Sequence, residues 1–261
     1  MAEERSDMSR DQLLNSAADI AVLLLENGGE IYRVEDSVQR IFRAYGVSGC
    51  QVFVIPSLII ISFTDGEGHS HSQIRRMSAQ STDLSRVGAA NDLCRRVCRD
   101  CPGYGQIQRD LEACRRLPVW PLWAQALACG LVGFSFTFIF GGNWWDSVGA
   151  SLCGLAIFPV RHMMIRLRTN TFFVHLAASF AAAVTALLLR FWGLGQNLDL
   201  MIIGALMNLV PGLALTSFMR DIIAGDLLAG IIRFIESFLI GAAIALGSGF
   251  ALTLLRPVLG G

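Results

Sequence analysis

Residues 118–140, PVWPLWAQALACGLVGFSFTFIF, run without a single charged side chain. A helix rising ~1.5 Å per residue needs about 20 such residues to cross a hydrocarbon core of ~30 Å. Everything before this stretch is polar by comparison, and everything after it repeats the pattern. Apolar runs follow near 145–165, 171–192, 198–219 and 227–255, with breaks at Gly141-Gly142-Asn143 and Trp192–Asn197. Only five carboxylates occur between Pro118 and the C-terminus: Asp146, Asp199, Asp221, Asp226 and Glu236. The sequence therefore predicts a membrane α-helical bundle of five transmembrane helices over 117–261, preceded by a small cytoplasmic α+β domain over 1–116.

Composition agrees with this division. Apolar residues make up 53% of the chain and mean hydropathy is +0.52, high for a soluble protein. Net charge is zero and all 21 basic residues are arginine, so nothing in the charge suggests a nucleic acid or an acidic partner. The start, MAEERSDMSRDQLLNS, has neither a basic nor an apolar leader region, so no cleaved signal peptide is expected. Seven cysteines, five of them before Pro118, fit a reducing cytosol without disulfides.

Arginine placement predicts orientation. Arg115, Arg116, Arg161, Arg166, Arg168 and Arg220 fall on one side of the expected spans, and Arg190 and Arg256 on the other. The N-terminus is thus expected inside and the C-terminus outside a bacterial inner membrane. Trp144, Trp145 and Trp192 mark the outer boundary, and Trp120 and Trp123 the inner one.

In the polar part, apolar positions recur at helical spacing over Asp11–Asn27 and Glu30–Tyr45, with Gly28-Gly29 and Gly46 as stops. β-branched and aromatic residues then predict strands at Gln51–Ile55 and Leu58–Thr64, a turn at Asp65-Gly66-Glu67-Gly68, and a return strand over His69–Met77. Helices are expected over Ser81–Asp100 and Gly105–Arg116.

The most unusual stretch is residues 207–238, MNLVPGLALTSFMRDIIAGDLLAGIIRFIESF, where three of the five carboxylates gather. Charges within apolar spans are costly and mark a path, a partner or a fold requirement. Gly204, Asn208, Gly212 and Thr216 recur every four residues, which places them on one helix face, with Pro211 loosening the backbone beside them. This reads either as a broken-helix substrate site or as a kinked helix packed through glycine. Asp221, Asp226, Arg233 and Glu236 follow. They read either as a polar cluster at the cytoplasmic mouth or as a solvated loop beside an Arg233–Glu236 pair. Ser237, Gly241, Ala245 and Gly249 form a small-residue face that reads as helix packing, on this chain or a partner.

Other motifs carry less. Cys94, Cys98 and Cys101 have a spacing used by iron–sulfur enzymes, but they lie late on a helix among arginines and are read as simple thiols. His69 and His71 fall on one strand face with no third ligand evident, so no metal and no cofactor is expected. Glu30, Arg33 and Glu35 surround a helix start. They are candidate residues of the cytoplasmic domain, although acids at a helix start also suit its dipole. No nucleophile, base and orienting group assemble into a catalytic set.

Three segments, LLLENGGEIYRVEDSVQRIFRAYGV, VFVIPSLIIISFTDGEGHSHSQIRRM and LVPGLALTSFMRDIIAGDLLAGIIRFIE, in this order around the spans, resemble the threonine/serine exporter family. The most specific element falls on Pro211, Gly212, Asp221, Gly225, Asp226, Gly230 and Arg233. The resemblance implies export of a small polar metabolite, of threonine or serine type or a C4-dicarboxylate such as succinate, driven by the proton-motive force. It also implies that this is the larger subunit of a split exporter, completed by a small integral-membrane partner, or assembled as a higher oligomer in the bilayer. On this reading Asn208, Pro211, Gly212, Thr216, Asp221, Asp226, Arg233 and Glu236 serve substrate or ion coupling. The competing functions are a regulatory or structural membrane subunit and a membrane-anchored, hydrolase-like enzyme.

Overall fold

Residues 8–77 and 81–259 are described in the computed structural model. The expectation about a leader segment rests in part on residues 1–7, which lie outside them, as does the Arg256 side chain used for orientation. By proximity the chain divides into two units. One combines Met1–Pro118 with Thr216–Arg233, and the other combines Val119–Leu215 with Phe234–Gly261.

In the first unit, Ser9 opens helix α1 (Arg10–Glu26) with a capping box. Its hydroxyl accepts from the Gln12 N–H, and the Gln12 side chain accepts from the Ser9 N–H. Helix α2 (Ile31–Ala44) turns Ile31, Val34, Val38, Ile41 and Phe42 inward. Strands β1 (Gln51–Ile55), β2 (Leu58–Thr64) and β3 (Ser70–Arg76) form an antiparallel sheet in that order, with Val54 opposite Ile59 and Ile60 opposite Ile74. Alternation along β2 sends Ile59, Ile61 and Phe63 into the core, where the Phe63 ring meets Phe42 at 5.1 Å. Helices α3 (Leu84–Asp100) and α4 (Tyr104–Arg115) close the core with Leu93, Val97, Ile107 and Leu111.

Two boundaries differ from the sequence expectation for local reasons. Helix α3 starts at Leu84 because the Asp83 carboxylate caps it, accepting from Ser85 N and Arg86 N, while the Ser81 N–H is taken by the Glu26 carbonyl. His69 lies before β3, because its N–H turns back to the Asp65 carboxylate.

The second unit holds α5 (Leu122–Ile139), α6 (Trp144–Arg166), α7 (Thr171–Phe191), α8 (Leu198–Leu206), the start of α9 (Gly212–Ala224) and most of α10 (Leu227–Leu259). Among the described residues four helical stretches are long and apolar enough to cross a membrane: Leu122–Ile139, Trp144–Arg166, Thr171–Phe191 and Leu227–Leu255. The apolar run near 198–219 is not one helix. It divides into α8 and α9 around Met207–Pro211, and neither piece, at 9 and 13 residues, reaches the length that a ~30 Å crossing requires.

Helices α5 and α6 approach backbone to backbone. A Cβ on Gly133 would stand 2.5 Å from the Ala150 carbonyl oxygen, and one on Gly154 would collide with the Cys129 carbonyl. Van der Waals packing through small residues is how helices associate where burial from water supplies no drive. Helix α10 uses the same device against α7, but through Gly247, which abuts Leu176 and Ser179. Of the small-residue face expected from sequence, Ser237 is buried, whereas Gly241 and Ala245 are exposed and nothing among the described residues lies close to Gly241 or Gly249.

Asp146 anchors this unit. It is fully buried at the start of α6, where its carboxylate accepts from the N–H groups of Asn143, Gln196 and Asn197 and from Asn197 Nδ2, at 2.6–3.1 Å. It therefore ties the α5–α6 turn to the α7–α8 turn. Replacing it by Ala strands these donors, each a desolvation loss of about 1–3 kcal/mol. The Asp146→Ala protein should unfold well below the parent in detergent, by differential scanning fluorimetry. An unchanged melting temperature would show that these bonds are not needed.

Candidate functional site

Two helix ends of the same kind build the site. Helix α1 finishes with Gly28 at φ 93°, its N–H donating to Leu25 O and the Gly29 N–H to Leu24 O. Helix α9 finishes with Gly225 at φ 98°, its N–H donating to Ile222 O and the Asp226 N–H to Asp221 O. Both are Schellman turns, which need a residue tolerant of positive φ at the position glycine occupies here. Gly29 is held for a second reason, since a Cβ there would stand 2.7 Å from the Leu24 carbonyl oxygen. The first turn delivers Glu30 to the start of α2, and the second delivers Asp226 to the start of α10. Gly230 then lets α10 lie close against the Phe218 carbonyl and Ile222 of α9.

The two turns meet within the first unit. Glu30 Oε1 pairs closely with Arg220 Nη1, and its Oε2 stands 2.7 Å from Arg33 Nε. Arg233 sends Nη2 to the Gly29 carbonyl at 3.4 Å and Nη1 toward Asp221 Oδ2 at 3.6 Å. The Asp221 side chain is only 1% exposed, and among the described residues its Oδ2 has no hydrogen bond. Glu35, one turn after Glu30, accepts the Val54 N–H at 2.9 Å and so fastens α2 to β1. Burial pushes the Glu35 carboxyl above its ordinary range. The Val54 N–H pulls it back in part, and the nearby Asp226 charge pushes it up again.

The arrangement unites the two charged groups that the sequence left apart, Glu30, Arg33 and Glu35 on one side and Asp221, Asp226 and Arg233 on the other. It adds two participants the sequence did not single out. Arg220 entered only as an orientation marker, and the Gly29 carbonyl carries no side-chain signal at all. Glu236 is an exposed residue of the second unit. The expected continuous face of Gly204, Asn208, Gly212 and Thr216 does not form, because the break around Met207–Pro211 puts Gly204 on α8 and Gly212 and Thr216 on α9. Gly204 instead packs on Thr137, and Asn208 Nδ2 donates to the Cys129 and Ala205 carbonyls at 3.0 Å, closing the end of α8. Pro211 and Gly212 lie where α9 begins.

Elsewhere, Cys94 Sγ and Cys101 Sγ point to the Ser37 and Ala44 carbonyls of α2. At the β2–β3 turn, Asp65, Glu67 and His69 bring one ligand atom each within 4.8 Å of one another, on an exposed tip. Open cavities of about 630 and 390 Å³ are lined by Leu127, Leu131 and Phe134 and by Arg43, Val47 and Cys50, none of them residues of the charged site.

Comparison with known proteins bears on both units. A family model described as putative threonine/serine exporter matches residues 15–255. The chain is 22% identical to a probable threonine/serine exporter of Mycobacterium tuberculosis over 246 residues, covering 92% of this chain and 46% of that protein. It is 22% identical to the threonine/serine exporter of Corynebacterium glutamicum, covering 93% of this chain and 51% of that protein. It is 20% identical to the probable succinate transporter subunit YjjP of Klebsiella aerogenes, covering 90% of each. The chain thus spans about half the length of the exporters and nearly all of the subunit. No solved structure matches it.

Glu35 supplies a pH test. Because the folded state holds its proton more tightly than the unfolded chain does, its charge subtracts stability as pH rises through the carboxylate range. Gln keeps an oxygen for the Val54 N–H and has no charge. Glu35→Gln should therefore melt above the parent near neutral pH. The gain should fade as pH falls below the ordinary glutamate range, where the parent is protonated in both states. A lower melting temperature at neutral pH would mean that the charge is used favourably.

Proposed function

The chain belongs to the threonine/serine exporter family, and from that premise we propose that it is a subunit of a secondary exporter carrying small polar metabolites out of a bacterial cytoplasm. It is a multi-pass membrane protein by family and by its apolar helices. In our reading α8 and α9 together make a fifth, broken crossing, the residues up to 116 form a cytoplasmic domain, and the C-terminus lies outside. Backbone broken at Met207–Pro211 suits a transporter, where irregular chain at membrane depth is tolerated only beside a cavity or within protein.

The observation that carries the proposal is Asp221, a carboxylate buried almost completely beside Arg233 in the most specific part of the family motif. A charge held in so poor a setting is more economically explained by a transport cycle than by stability. Asp221, Asp226 and Arg233 are the proposed coupling residues, with Glu30 and Glu35 facing them. Asn208, Pro211, Gly212, Thr216 and Glu236 remain proposed contributors to the substrate path.

Half-length coverage of the exporters and the word subunit in the succinate transporter's name support a two-chain assembly, completed here by a small integral-membrane partner. The substrate is proposed to be threonine or serine, or a C4-dicarboxylate, moved against a proton gradient. The relatives named above are exporters and a transporter subunit, which favours transport over enzymatic chemistry. A regulatory role beside a transporting partner is the second reading, supported by the same word.

Efflux decides among these. Cells lacking related exporters, preloaded with labelled threonine, serine or succinate, would express this chain alone or with its small membrane neighbour. Efflux is expected only with both chains. Asp221→Asn and Asp226→Asn should each reduce it at least about tenfold, a loss of ~1.4 kcal/mol in transport, with the protein still in the membrane. Full efflux from the partner alone would establish the regulatory reading, and full efflux from both variants would remove these residues from the path.

A further inference from the structure

We propose that the turn from α6 to α7 is a binding site for an anionic phospholipid, whose phosphate is held by Arg161, Arg166 and Arg168.

The charge at this turn is of one sign. From Ser147 to Leu198 the chain carries no carboxylate, yet three arginines fall within 161–168, at the end of α6. All three are exposed, and among the described residues none of them makes an ion pair or a side-chain hydrogen bond. The other end of the same two helices carries Asp146 and Arg190, one charge of each sign. Arg161 lies five residues before the end of α6. At ~1.5 Å per residue that is ~7.5 Å, a depth from which an arginine side chain snorkels to the surface.

Arg168 also occupies a costly backbone position. After α6 the Arg168 N–H donates to Ile165 O and the Thr169 N–H to Met164 O, and Arg168 takes φ 53°. Gly28, Gly46, Gly141, Gly193 and Gly225 hold the same place, with the same two bonds, in the turns after α1, α2, α5, α7 and α9. Glycine adopts positive φ without the steric cost that the Cβ of arginine brings. The backbone favours glycine at this position, so the use of an arginine there lies in its side chain.

The neighbours of these arginines name the ligand. Met163, Ile165 and Leu167 alternate with them and Phe173 follows, each more than half exposed. A small free anion offers such side chains nothing. A phospholipid offers both parts, a phosphate that a guanidinium binds with two parallel hydrogen bonds and acyl chains for the apolar residues. The turn joins two of the long apolar stretches, Trp144–Arg166 and Thr171–Phe191, and so lies at headgroup level. In the orientation proposed above this is the cytoplasmic leaflet, whose surface is negative. The site depends on the chain crossing a membrane and not on what the chain carries.

Native mass spectrometry of the full chain in neutral detergent tests the site, with phosphatidylglycerol and phosphatidylcholine of matched acyl chains as probes. Phosphatidylglycerol should bind at least about tenfold more tightly. Arg161→Gln, Arg166→Gln and Arg168→Gln together should abolish that preference, and Arg190→Gln should keep it. Arg168→Gly should weaken phosphatidylglycerol binding several-fold yet melt no lower than the parent, because the turn then has the residue its backbone favours. Equal binding of the two lipids, or a preference that survives the triple substitution, overturns the site. Displacement of the lipid by millimolar inorganic phosphate would make it a site for soluble anions and overturns it as well. An Arg168→Gly protein that melts lower and binds phosphatidylglycerol as the parent does makes that arginine structural and removes it from the site.

Discussion

A carboxylate cut off from water must be met by the chain itself or change its proton. Asp221 is in that position, and the polar organisation of the first unit follows from how it is met. Arg233 approaches it while donating to the Gly29 carbonyl, and Arg220, the residue before Asp221 on α9, pairs with Glu30. Each of these depends on glycine. Without Gly225 the α9 helix would not close its last carbonyls and turn, and without Gly29 the α1 turn would collide with Leu24. Two backbone devices of a few residues thereby decide where seven charged side chains lie.

Much of this was legible from sequence. The period-two and period-3.6 patterns located β1 and β2 to the residue and helices α1 to α4 within a few positions, because each element buries one face and its ends carry glycine or a capping side chain. The charged stretch 207–238 stood out because charge is rare among apolar runs. What could not be read was that Glu30 and Arg220 are neighbours, since their separation leaves no periodic trace. Arg220 looked like one of several arginines at a span boundary. The small-residue arithmetic failed on α8 and α9 because it assumed an unbroken helix, whereas Pro211 lacks the N–H that would continue it and the chain turns at Met207–Asn208. On α10 it chose Gly241, Ala245 and Gly249, while contact with α7 runs through Gly247. Small residues at regular steps say that a face can be approached, not that it is.

The membrane unit follows a different economy from the N-terminal one. Its helices are apolar on all sides, so burial cannot tell a helix which neighbour to choose. Shape and a few polar bonds do so: Gly133 and Gly154 at the α5–α6 crossing, Gly247 against α7, Asn208 on the Cys129 carbonyl, and the four hydrogen bonds of Asp146 at the turns. A buried acid thus has opposite characters in the two units. Asp146 is satisfied on both oxygens and holds two turns fixed. Among the described residues Asp221 has an oxygen without a hydrogen bond, so the two buried acids differ in how fully the chain meets them.

The first unit is assembled from two stretches of chain with almost a hundred residues of apolar helices between them. On a ribosome adding roughly 5–20 residues each second, the N-terminal helices and sheet are complete for several seconds before Arg220 and Arg233 exist. During that interval Glu30 waits with Arg33 alone, and the place beside it that the α9–α10 turn takes is vacant. It fills only after three long apolar helices have been made and threaded into the bilayer. Closure of the charged turn onto Gly29 therefore comes only after those three helices have been made, with most of the fourth long apolar stretch, Leu227–Leu255, still to follow. A chain that stops before Arg220 keeps that surface bare.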